Sequence, residues 1–110
     1  MRAFPSVRKA LDDDPFSKVT SLQVLNAMAD CLSRIEGHIG SWESEHFRRA
    51  FHYLDWKRPG TALDMAEAAT VPVERRSALK AEIALGPLLT REEILESIQR
   101  RRNAIELEIE

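Results

Sequence analysis

Twice along the chain a Thr is followed three residues later by Gln or Glu and bracketed by two apolar residues: Thr20 and Gln23 between Val19 and Val24, then Thr90 and Glu93 between Leu89 and Ile94. A hydroxyl and a carboxyl or amide at that spacing satisfy each other's backbone N–H groups at a helix start, and the apolar pair fixes the angle of entry. Each site therefore predicts the beginning of an α-helix. Behind the first, Val24, Leu25, Met28, Leu32, Ile35 and Ile39 recur at helical spacing, while Gln23, Asn26, Asp30, Ser33 and Arg34 fall on the other side. Behind the second, Ile94, Leu95, Ile98, Ile105 and Ile109 make one stripe.

Between them the punctuation is also helical. Gly37 and Gly40 loosen the end of the first helix, and Ser41 is placed to cap a second whose periodic set is Phe47, Ala50, Phe51 and Leu54, ended by Lys57-Arg58-Pro59-Gly60. Thr61 to Ala69 reads as a short Ala-rich helix that another helix can approach closely. Pro72 stands near the start of a further helix running to Leu85, which Gly86-Pro87 stops. Apolar and polar residues alternate only in Ile105 to Glu110. The expected class is all-α, a small bundle of four to five helices, with residues 1–18 as an N-terminal arm or tail and 19–110 as a single helical domain.

A chain of 110 residues is long enough for one core without a metal or disulfide. Its 16 basic and 18 acidic residues leave a net charge of −2, which argues against a protein that lives on a phosphate backbone. The single Cys31 has no partner for a disulfide and lies in an apolar helical pattern, and no stretch is apolar for long enough to span a bilayer. Met1 to Leu11 lacks the apolar centre of a signal peptide. These features point to a cytoplasmic protein.

The usual chemistries find no footing. Glu43 and His46 make one E-x-x-H step, but a carboxylate-bridged metal site needs a second such step and two further Glu. His38, His46 and His52 do not share a helix face, and Asp12-Asp13-Asp14-Pro15 lacks the Gly and downstream Glu of a calcium loop. No nucleophile elbow, phosphate loop or dinucleotide fingerprint occurs. Neither an enzyme nor a bound cofactor or metal is expected. A helix-turn-helix over residues 62–83 would carry Arg75, Arg76 and Lys80 toward DNA. Against it, Thr70 stands where such a turn wants Gly, and Glu74 and Glu82 dilute the charge.

Two helix faces exceed what a core needs. Trp42, Arg49, Tyr53 and Trp56 follow one another at steps of seven, four and three and so share a stripe, and these are residue types that dominate binding hot spots. The stripe is either a partner-binding surface or a second buried face of a central helix. In the last helix Arg101 and Arg102 interrupt the line of Ile98, Ile105 and Ile109. Either this segment meets a second subunit, with all five residues at a dimer interface, or the arginines lay their stems over the rim of an ordinary core. The alternation of Ile105, Leu107 and Ile109 with Glu106, Glu108 and Glu110 also fits a strand. The leading expectation is a homodimeric interaction module that binds another protein.

Overall fold

The computed structural model describes residues 7–76 and 88–109, with only the backbone of residue 109, and it builds the second start signal as its residues dictate. The Thr90 N–H donates to Glu93 Oε1 at 2.9 Å and the Glu93 N–H donates to Thr90 Oγ1 at 3.1 Å. Leu89 and Ile94 both join the core, and the helix that follows, α5, covers Arg91–Ile109. The segment 105–109 is thus helical rather than a strand. Before it come α1 (Val7–Asp13), α2 (Lys18–Ser33), α3 (Ser41–Asp55), α4 (Pro59–Ala69) and a 3-10 turn at Val73–Arg75. The predicted helix running to Leu85, with its Gly86-Pro87 stop, falls mostly outside the described residues; only its first turn is seen, and that turn is 3-10.

The first start signal is displaced. The N-cap of α2 is Ser17, whose Oγ accepts the Thr20 N–H at 3.0 Å, so Thr20 lies one turn inside the helix. Its hydroxyl donates instead to the Asp14 carbonyl at 2.7 Å and is buried, while Val19 is left exposed and forms no staple. Ser17 competes successfully because a cap needs only an oxygen two or three residues ahead of a free N–H. The helix also ends earlier than its apolar periodicity, at Ser33; Ile35 and Ile39 pack against the core from the connection to α3. At α3 the cap is Gly40 rather than Ser41, with its N–H donating to Glu43 Oε1 at 3.0 Å.

The architecture is a helical bundle organised around α2 and α4. Helix α4 places Ala62, Ala66 and Ala69 on one buried stripe, and the absence of bulk there lets both α2 and α3 pack on it closely. Phe47 and Phe51 from α3, Leu25, Met28 and Leu32 from α2, Leu63 from α4 and Ile94 and Ile98 from α5 fill the centre. The described part of the N-terminal arm, from Val7 on, is docked: Val7 and Leu11 lie on the core, and Arg8 reaches α4, pairing with Asp64 at 2.8 Å and Glu67 at 2.6 Å. The α2–α3 connection is held by Arg91 in the first turn of α5. Its guanidinium donates to the carbonyls of Leu32, Ile35 and Gly37 at 3.0, 2.8 and 2.6 Å. The Leu32 carbonyl also accepts the Ile35 N–H at 3.1 Å, but all three carbonyls lie at or beyond the end of α2, where the usual helical donors run out, and a guanidinium fork answers several at once.

Candidate functional site

The Trp42, Arg49, Tyr53, Trp56 stripe is present on α3, but its two ends serve different purposes. Trp42 is half-buried, and its indole N–H donates to the Ala68 carbonyl at the end of α4 at 2.9 Å. Arg76 lies over its ring at 5.2 Å, pairs with Glu43 at 2.7 Å and donates to the Val71 carbonyl at 2.9 Å. The His46 ring packs on Trp42 from the next turn at 4.3 Å, with Nδ1 2.7 Å from the Trp42 carbonyl. A carbonyl only accepts, so Nδ1 carries the proton. The cluster locks the turn after α4 onto the start of α3. Trp42 is thereby committed inside the chain.

In the middle of the stripe, Arg49 pairs with the buried Glu45 at 3.0 Å and Arg48 approaches the same carboxylate at 3.6 Å, offsetting the cost of a carboxylate that is 5% exposed. Tyr53 packs against the core from its edge. Trp56 is different. It caps α3 at 68% exposure, touched by the His52 ring at 5.1 Å.

Facing it is Phe16, 73% exposed in the turn between α1 and α2. Pro15, Phe16, Trp56, Lys57 and Pro59 line one shallow groove, and a second groove continues from Phe16 and Lys57 to Lys18 at the start of α2 and to Arg101, Ala104 and Glu108 on α5. Two large aromatics rimmed by prolines and cations form an exposed patch of the kind found where proteins meet. Lys57 holds its place at a backbone cost. After α3 the Arg58 N–H bonds the Tyr53 carbonyl at 2.8 Å and the Lys57 N–H bonds that of Leu54 at 3.1 Å, a helix ending that puts Lys57 at φ +63°. Glycine usually occupies that position, since any Cβ there is strained.

The expected dimer-interface residues also divide. Ile98 is 2% exposed within the chain's own core, so it offers no surface to another subunit, and Ile105 is half-buried against the same core. Arg101 crosses to α3, pairing with Asp55 and lying over the Phe51 ring at 4.6 Å. Arg102 donates to Asn26 at 2.6 Å and Gln99 at 2.7 Å. Arg101 thus lies over the rim of the in-chain core, while Arg102 is held by polar partners on α2 and α5. Ile109 ends α5, and of its side chain nothing is described. The large apolar residues that α5 does expose are Leu95, at 46%, and Leu107, at 75%, between Glu106 and Glu108.

The other sequence candidates are dispersed. Of the three cations assigned to DNA, Arg75 is exposed, Arg76 is turned inward as above, and Lys80 lies outside the described residues. Glu43 and His46 are directed to Arg76 and to the Trp42 carbonyl respectively. Among the described residues no three metal-ligating side chains gather, and no helix is long and apolar enough to cross a membrane. Sequence reasoning missed Phe16, although an aromatic beside a Pro and outside every helical stripe is a legible signal of exposure. No protein-family model, no curated protein and no solved structure matches the chain.

Proposed function

We propose that the chain acts by binding rather than by chemistry, as a small cytoplasmic helical regulator, adaptor, antiactivator or chaperone-like subunit, through the Phe16 and Trp56 surface. The observation that carries this reading is the pair itself: two large aromatics, 73% and 68% exposed, share one groove while the rest of the aromatic stripe is engaged in the fold. Exposing both to water has no structural return, because neither fills the core, and their burial against a partner is favourable at roughly 25 cal/mol per Å² of apolar surface. The docking surface accordingly keeps only Trp56 of the four-residue stripe and adds Phe16, Lys57 and Arg58. DNA binding through residues 62–83 is the lesser reading, since Arg76 already serves Glu43 and Trp42.

A photo-reactive amino acid in place of Trp56, expressed in the native organism, tests this directly. A discrete cross-linked species is expected from position 56 and none from the same substitution at Arg75. Cross-links from Arg75 alone, or from neither position, would count against the assignment.

A further inference from the structure

Resting on the reading that this groove is a docking surface, we propose that its occupant is the last two turns of α5 from a second copy of this chain. The groove needs an element that is apolar at its centre and acidic at its flanks. Phe16, Trp56 and the prolines are apolar, whereas Lys57 and Arg58 on the rim are exposed cations that form no ion pair among the described residues. The end of α5 has that composition. Leu107 projects from it at 75% exposure, Ala104 lies beside it one turn back, and Glu106 and Glu108 flank it on either side of the helix. Glu106 likewise forms no ion pair among the described residues. Within one chain the adjoining second groove already holds a carboxylate from this helix, since Lys18 pairs with Glu108 at 3.2 Å.

The placement of the two elements supplies the rest. Ala104 and Glu108 line the second groove, which shares Pro15, Phe16, Lys57 and Pro59 with the first, so the end of α5 and the Phe16 and Trp56 groove adjoin. A surface that carries both an element and its complement side by side is self-complementary about a two-fold axis, and each copy then gives an α5 end and receives one. Leu107 of each copy enters between Phe16 and Trp56 of the other, and Glu106 meets Lys57 and Arg58. Lys57 would retain its strained backbone because its side chain is needed at this rim.

Sedimentation velocity on the full chain at low ionic strength, across a concentration series, tests the proposal. The expected result is a reversible monomer–dimer equilibrium that Leu107→Ala weakens by about tenfold or more, as do Lys57→Glu with Arg58→Glu, or Glu106→Lys alone, through like-charge contact. An equal mixture of the two charge-reversed proteins should recover association, because both contacts of the mixed dimer again pair opposite charges. That recovery also shows that each variant is folded. A wild-type chain monomeric throughout, or a dimer indifferent to the reversals, or a mixture that stays monomeric, overturns the second-copy occupant. If the chain is monomeric and position 56 still cross-links to a different protein, the docking surface stands with another occupant. If it does neither, both readings fall.

Discussion

Arg101 on α5 grips Asp55 at the end of α3 with both arms of its guanidinium, Nη2 to Oδ2 at 2.7 Å and Nε to Oδ1 at 3.1 Å, while the same group lies over the Phe51 ring. The pair ties the C-terminal helix to α3, and its stem covers part of the core that an aliphatic residue would otherwise fill. Asp55 is more than half exposed, so solvent screens the ion pair and it contributes only about 0.5–1 kcal/mol. With the ring contact added, Arg101→Ala should destabilise by about 1–2 kcal/mol in urea unfolding. Arg101→Lys should recover less than half of that, because one ammonium replaces a planar fork. Full recovery by Lys would mean that charge alone matters there.

Arg91 is expected to be worth more than Arg101. Its three carbonyl partners close the α2–α3 connection, including that of Gly37 at φ +83°. Arg91→Met keeps the stem and removes the donors, and should cost about 2 kcal/mol in chemical denaturation, the range for hydrogen bonds from a charged group. Amide hydrogen exchange should accelerate first in residues 32–40. A uniform acceleration across α2 and α4 would show that the loss is global rather than local.

Lys57→Gly separates stability from binding. Relief of the φ +63° backbone should stabilise the chain by about 0.5–1 kcal/mol. Removal of the ammonium should at the same time weaken association at the groove. A variant that is both more stable and equally able to associate would mean that Lys57 contributes nothing at the rim.

Cys31 predicts a pH dependence. Burial pushes its thiol up, with the Arg34 guanidinium 3.2 Å from Sγ pulling the other way. The folded state therefore holds the proton to higher pH than the unfolded chain does. This contribution is fully present below the ordinary thiol value of about 8.5 and is lost as pH rises through the folded value. Thermal unfolding of the wild type should fall more steeply on the alkaline side than that of Cys31→Ala. Equal slopes would show that Cys31 titrates alike in both states.

The fold was largely written in local pattern, and the surface was not. The Thr90 and Glu93 cap, the Ala stripe of α4 and the Phe47 to Phe51 spacing are relations among near neighbours, which a linear reading captures. Thr20 and Gln23 have the same local form as Thr90 and Glu93, yet Ser17 caps α2, because the Asp14 carbonyl draws the Thr20 hydroxyl away. Arg101 and Arg102 looked misplaced only because Asp55 and Asn26, which receive them, lie far off in sequence. Trp42 and Trp56 share one stripe in sequence, but only the packing of α4 and Arg76 against the first distinguishes a structural tryptophan from an exposed one.

That distinction can be measured in a single spectrum. With 5-fluorotryptophan in place of both tryptophans, 19F NMR gives one line for Trp42 and one for Trp56. The spectrum is recorded as the chain is concentrated and, separately, as extract of its native host is added. The Trp56 line should shift or broaden in at least one series while the Trp42 line stays in place. A Trp56 line unmoved in both, or movement of Trp42 alone, would contradict the claim that the exposed end of α3 is where this protein binds.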